Sequence, residues 1–206
     1  MNTEMFKKKI KLFVKSFLRL FPFMRRAIDR NYMAATFGIY ILSSFFKRIL
    51  LINSKADFLV NYTSRVTHAH NVIIEDKDNN RKVYGSFLIS GGCYYQATNG
   101  IIFGNGTIWS FGCHFISANH SFRNLNESTP SPPIKIGRHV WIGVNSVILP
   151  GIEIGDYCIV GAGSIVTKSF PSYYIIAGNP AKPLARRCKK CLSKINIDVE
   201  LCDICA

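Results

Sequence analysis

A mainly β chain wound as a parallel solenoid of triangular coils is predicted by three observations. Aliphatic residues recur at every sixth position, through Ile136, Ile142, Ile148, Ile154, Val160 and Val166. A column of small or β-branched residues runs two positions ahead, at Ile134, Val140, Ser146, Ile152, Cys158 and Ser164. Glycine follows the first column at Gly137, Gly143, Gly155 and Gly161. An amphipathic helix repeats near 3.6 residues and a half-buried strand near 2. A period of six requires a chain that turns a corner every six residues, with three hexads to a coil. Column residues then point into the prism and stack on their equivalents in the next coil, so several coils are needed to close the core. Glycine permits the backbone conformation that a tight corner demands.

Two hundred and six residues suit one main domain with appendages and suffice for a sizeable core. The formal charge of +14 is uneven: residues 1–60 hold twelve Lys/Arg and three Asp/Glu, a net +9. No nucleic-acid-binding fold signature accompanies these basic residues, so nucleic acid is not expected as a partner. A basic, apolar N-terminus suits an anionic membrane surface instead. Its first thirty residues mix charged and apolar side chains throughout, unlike the compact apolar core of a secretory signal. Seven cysteines, an odd number, lack the spacing of a small secreted disulfide framework. A cytoplasmic location follows, with peripheral attachment at the inner face of the plasma membrane left open.

Three regions are expected: a basic helical region over 1–56, the repeat domain over 57–187, and a Cys-rich tail over 188–206. Phe6, Ile10, Phe13, Phe17 and Leu20 fall at helical spacing, and Pro22 kinks or ends that helix. Residues 31–46 carry no charge but fall short of the roughly 20 that a spanning helix needs. These segments read either as a membrane anchor or as helices packed on the end of the solenoid. Residues 57–74 carry strand-like apolar residues. His68 and His70 form an H-x-H pair without a further ligand cluster nearby, and read as ordinary strand residues. Residues 75–82, EDKDNNRK, read as a polar turn.

Repetition resumes near Gly85, and the register is established at Phe103, Trp109 and Phe115, with Ile101, Thr107 and Cys113 two positions ahead. Trp109, Cys93, Cys113 and Cys158 read as core. From Phe115 to Ile136 is 21 residues, not a multiple of six. The chain therefore leaves the coil, in the polar, proline-rich stretch 119–133. Excursions from a rigid coil are where function tends to sit.

Within residues 85–187, WIGVNSVILPGIEIGDYCIVGAGSIVTKSFP followed by IIAGNPAKPLARR resembles the hexapeptide-repeat acyltransferases, among them the galactoside, maltose and polysaccharide O-acetyltransferases. SANHSF, a loop and then IGRHVWIG is similar to their active-site arrangement. The resemblance implies a left-handed β-helix, acetyl-CoA as co-substrate, a sugar or glycolipid acceptor and a homotrimer whose sites draw on two chains. It implies that His120 is the general base, since histidine is suited to take a hydroxyl proton at neutral pH. It places the main-chain N–H of Val144 at the oxyanion of a direct transfer. Trp141 then flanks the site, Ala162 offers main-chain contacts to the pantetheine arm, Thr167 and Lys168 meet the arm or its phosphates, and Lys182 and Arg186 meet the nucleotide phosphates. Tyr94, Tyr95 and Gln96 fall on the acceptor side. Ala97 stands where some sugar acetyltransferases carry an acceptor asparagine, which argues against a simple galactoside or maltose acceptor. Glu127 reads as a solvated loop carboxylate.

The tail holds Cys188, Cys191, Cys202 and Cys205 as CxxC-x10-CxxC. Four thiolates at such spacing suit a structural zinc, and reduced thiols on a loose tail are the alternative. The expected activity is acetyl transfer to a sugar hydroxyl of a bacterial surface-polysaccharide precursor. The alternatives are an amino-sugar or nucleotide-sugar N-acetyltransferase and a non-catalytic trimeric scaffold. His114, His120 and His139 lack the spacing expected of a solenoid carbonic anhydrase.

Overall fold

A computed structural model describes residues 37–205. The expected helix over 4–30 lies outside the described residues. The element order is α1 (Phe37–Arg48), β1 (Arg65–Thr67), β2 (Val72–Ile74), α2 (Arg81–Ile89), β3 (Tyr94–Gln96), β4 (Ile101–Phe103), β5 (Ile108–Trp109), β6 (His114–Ile116), β7 (Ile134–Ile136), β8 (Trp141–Ile142), β9 (Val147–Ile148), β10 (Glu153–Ile154), β11 (Ile159–Val160), β12 (Ile165–Val166), β13 (Tyr174–Gly178), β14 (Ala181–Arg187) and β15 (Lys194–Ile195).

These strands form the three faces of a prism. Face A stacks β1-β3-β6-β9-β12, face B stacks β2-β4-β7-β10, and face C stacks β5-β8-β11-β13-β14-β15. Pairing around the prism is parallel, and the chain visits A, B and C in turn. The sixth-position columns become three inward ladders. Val66, Tyr95, Phe115, Ile148 and Val166 are in register on face A. Phe103, Ile136 and Ile154 align on face B, and Trp109, Ile142, Val160 and Ile176 on face C. The second column fills the corners: Thr107, Cys113, Ser146, Cys158 and Ser164 are fully buried. Their polar atoms are satisfied by backbone carbonyls, as where Thr107 Oγ1 donates to the Gly137 carbonyl at 2.6 Å and Ser146 Oγ to the Gly143 carbonyl at 2.9 Å. Burial pushes the Cys113 and Cys158 thiols up to about 11, so they stay protonated packing groups.

The first coil departs from the expected repetition. Residues 85–89 belong to α2, which stands where face C would carry a strand and packs against β5. Arg81 and Lys82, expected within a polar turn, begin that helix. The physical reason is the spacing of Val83, Tyr84, Phe87 and Leu88, which puts one apolar face onto the open end of the prism; all four are buried. Phe87 plugs the prism, with ring centroids 4.8 Å from both Tyr95 and Trp109, 5.4 Å from Phe103 and 4.4 Å from Phe58. Trp109 Nε1 donates to Tyr95 Oη at 2.7 Å, which satisfies two polar atoms in an otherwise apolar cluster.

Helix α1 packs beside α2, with Ile39 and Tyr40 against the core and Ser43 buried. Its outer face stays open: Ile41, Leu42 and Phe45, then Ile49, Leu50 and Leu51, are 43–67% exposed. Among the described residues, no helix is long and apolar enough to cross a membrane. At the opposite end, β13 and β14 form an antiparallel hairpin, and β15 adds antiparallel to β14. The tail is thus an extension of face C rather than a loose end.

Candidate active site

Several of the candidate residues sit at corners of the prism, where the chain passes from one face to the next. Between β6 and β7, where face A passes to face B, the chain makes the excursion expected from the 21-residue gap. Its stem is braced from inside. Asn99 Nδ2 donates to the carbonyls of Ser117 and Thr129 at 3.0 and 3.1 Å and to Ser131 Oγ at 3.0 Å. Gln96 Oε1 accepts from Ala118 N–H at 3.0 Å. Within the loop, Ser121 N–H donates to the Glu127 carbonyl at 2.8 Å, Thr129 N–H to the Asn119 carbonyl at 2.8 Å, and a β-bridge joins His120 to Ser128. His120 is thereby presented at the surface on a closed hairpin-like turn. The Glu127 carboxylate accepts from Asn124 Nδ2 at 2.8 Å, so it serves the loop rather than His120. Asn99 is the residue that sequence reasoning missed; its place two residues before β4 carries no periodic signal.

Val144 lies at the corner where face C passes to face A. It is 40% exposed, and the next residue, Asn145, holds φ 56°. Its carbonyl accepts from Gly163 N–H at 2.8 Å, while among the described residues nothing accepts from its own N–H. The coils meet closely here: a Cβ on Gly143 would lie 2.6 Å from the Ala162 nitrogen. Ala162 therefore stacks directly over this corner, on the exposed surface. Trp141, 50% exposed, points out from face C beside Ile108 and Ile159.

Thr167 and Lys168 follow β12 and are exposed at the corner between faces A and B, two coils beyond His120. Lys168 Nζ lies 5.7 Å from the Phe170 ring centroid. Lys182 is exposed on β14. Arg186 does not fit the expected phosphate role. It pairs with Glu200 at 3.5 Å, lies over the Tyr174 ring at 5.1 Å, and its side chain is only 16% exposed. The folded tail claims this guanidinium, which the local sequence of β14 cannot reveal. Tyr95 needs the same correction. It is wholly buried in the aromatic plug, because its position in the six-residue register points it inward. Tyr94 and Gln96 are half-buried on face A, with Gln96 occupied by the loop stem.

The third corner, from face B to face C, carries stacked rings of His139, Tyr157 and Tyr173, with centroids 5.1 and 5.2 Å apart. Arg138 donates from Nε and Nη2 to Asp156 Oδ2 at 3.0 and 2.7 Å. Burial raises the Asp156 pKa, but the bonds from Arg138 outweigh it and hold the carboxyl below its ordinary value. An open cleft of about 670 Å³ on face B, lined by Glu75, Lys135, Arg138, Glu153 and Asp156 among others, contains none of the residues that the resemblance implies. His114, on face A, His120 and His139 lie on separate parts of the prism. His68 and His70 stand with rings 6.2 Å apart, and the metal-capable cluster found among the described residues contains no histidine.

Fold and site together define a triangular β-helix that is closed at one end by α2 and interrupted between β6 and β7 by a histidine-bearing loop. A family model described as the hexapeptide repeat of succinyl-transferase matches residues 133–168. A chloramphenicol acetyltransferase of Agrobacterium fabrum is 33% identical over 138 residues, which cover 62% of this chain and 65% of that protein. A protein of Staphylococcus aureus strain MRSA252, named as an acetyltransferase, is 34% identical over 106 residues, 50% of this chain and 53% of its own. A maltose O-acetyltransferase structure from Clostridium difficile 630 is 28% identical, with a TM-score of 0.48, and covers 60% of this chain and 63% of that one. The chain carries the hexapeptide repeat over residues 133–168 and is similar to acetyltransferases over about half to two thirds of its length. It spans about half to two thirds of the length of the curated relatives it matches.

Proposed function

We propose that this chain is an acetyl-CoA-dependent O-acetyltransferase that modifies a sugar hydroxyl of a bacterial surface-polysaccharide precursor. The observation that carries the reading is the exposed His120 on a loop braced by Asn99 and Gln96. His120 takes the proton of the attacking hydroxyl, and Val144 N–H holds the oxyanion of the tetrahedral intermediate. Transfer is direct, with no acyl-enzyme. The acyl-CoA runs past Trp141 and Ala162, with Thr167, Lys168 and Lys182 free to meet its polar groups. Tyr94 remains as the half-exposed residue on the acceptor side.

His120 and Val144 leave the coil at different corners of one prism, separated by the width of face A. A site that uses both therefore draws them from two chains, which supports a homotrimer. The outward residues agree with that assembly. Ile108, Trp141, Ile159 and Ile175, which point outward in one ladder on face C, are all apolar and suit a contact between chains.

The test is acetyl-CoA turnover against a panel of lipid-linked and nucleotide sugars, with mass analysis of the products. An O-acetylated sugar is expected. Products acetylated only on amines would replace the reading with N-acetyl transfer, and the absence of any turnover would leave a scaffold.

The open apolar face of α1 and the +9 charge of residues 1–60 support peripheral contact with an anionic membrane at the cytoplasmic face. Phe45→Glu is expected to lower co-sedimentation with phosphatidylglycerol vesicles severalfold while leaving binding of acetyl-CoA intact. Equal sedimentation of the variant would leave α1 as packing alone.

A further inference from the structure

Outside the proposed active site, one cluster of nucleophilic side chains stands apart. The sulfurs of Cys188, Cys191, Cys202 and Cys205 all lie within 4.8 Å of one another. We infer that these four cysteines form a tetrathiolate site for a structural zinc ion, which clasps the C-terminal tail to the last coil of the solenoid.

The geometry separates a metal site from its alternatives. Tetrahedral zinc with bonds of about 2.3 Å holds its sulfurs about 3.8 Å apart. Cys191 and Cys202 stand at 3.5 Å. A disulfide needs a sulfur separation of about 2.0 Å and would engage two thiols rather than gather four. The three core cysteines are buried among apolar neighbours, whereas three of the four tail cysteines reach the surface, so solvent exclusion does not explain their convergence.

The backbone is folded around the sulfurs on both sides. Leu192 N–H donates to the Cys188 carbonyl at 2.9 Å, with Leu192 at φ 64°, and Cys188 N–H donates to the Ser193 carbonyl at 2.8 Å. Cys205 N–H closes the second turn onto the Cys202 carbonyl at 2.8 Å. Four thiolates around a divalent ion leave a net charge of −2 that favours nearby cations. Lys190 Nζ lies at the second turn, donating to the Cys205 carbonyl at 2.7 Å.

A full set of four protein ligands leaves no open position, so the ion is structural. Its mechanical role is visible in what it anchors. Arg187 donates from Nε to the Leu192 carbonyl and from Nη1 to the Tyr157 carbonyl, both at 3.2 Å, and so ties the first turn to the fourth coil. Between the two cysteine pairs, Glu200 is held against Lys189 at 2.6 Å and Arg186 at 3.5 Å. Loss of the ion would release this segment and return Arg186 to solvent.

The test uses the full chain, purified under reducing conditions without a metal-affinity tag. Elemental analysis is expected to find about one zinc per chain after gel filtration, and titration with a mercurial to release it as the tail thiols react. Exchange for cobalt(II) is expected to produce the sulfur-to-metal charge-transfer and ligand-field bands of tetrahedral thiolate coordination. Cys191→Ser combined with Cys202→Ser should lower the zinc content at least tenfold. Wild-type protein that stays folded and metal-free after incubation with equimolar zinc would overturn the inference, even if the double variant fails to fold. So would full metal content in the double variant. A Cys191–Cys202 disulfide in freshly isolated wild-type protein, with a thiol count two below the seven in the sequence, would replace the metal site with a redox pair.

Discussion

His120→Ala is expected to lower acetyl transfer by about 10²- to 10⁴-fold, the usual contribution of a positioned general base. The KM for acetyl-CoA should change little, because His120 is not among the residues proposed to contact the co-substrate. The fold should be untouched, since His120 is exposed and its loop is held by Asn99, Gln96 and backbone bonds. Val144→Pro removes the other proposed element, the oxyanion N–H, while the residue stays apolar. Proline suits the turn position that precedes a residue with positive φ, here Asn145 at 56°. Loss of one oxyanion donor costs about 10²–10³ in kcat. Co-expression of the two variants should restore part of the activity. A mixed trimer places an intact His120 from one chain against an intact Val144 N–H from the next. Full activity of His120→Ala would end the general-base reading. Failure of the mixed trimers to recover, or a solution mass of a single subunit, would end the shared-site reading and leave the base intact.

Phe87→Ala is expected to destabilise the protein by about 3–5 kcal/mol, read as a lowered midpoint in denaturant. Its ring is wholly buried and contacts four other aromatic rings at the end of the prism. Truncation leaves a cavity whose walls are held by the strands of the second coil, so they cannot collapse into it. Phe87→Leu should recover much of the loss by refilling the volume. A loss below about 1 kcal/mol for Phe87→Ala would mean that α2 is an accessory to the solenoid rather than its plug. The conclusion matters for α1 as well, because α1 rests on α2 and would shift with it.

The hexads from Ile134 to Val166 made the prism legible before any coordinates, because a period of six has one simple structural solution. The loop was legible for the same reason: in a strict register, 21 residues between Phe115 and Ile136 leave 15 unaccounted for. The four tail cysteines were legible as a set from their spacing alone. Helix α2 was not, since a single turn-and-a-half of apolar residues can serve either a strand or a helix; only the open end of the prism selects the helix. Tyr95 and Arg186 were misjudged for a related reason. Which way Tyr95 points depends on the register of face A, and what engages Arg186 depends on Glu200, fourteen residues further along.

The sequence by itself thus determined the repeat, its core columns and the position of the excursion. These are local properties, set by spacing and side-chain type. Tertiary structure alone decided which corner each residue occupies, that the first coil is closed by a helix, that Arg186 is claimed by the tail, and that four sulfurs converge. Each of these depends on contacts between segments far apart in the chain, which no local pattern encodes.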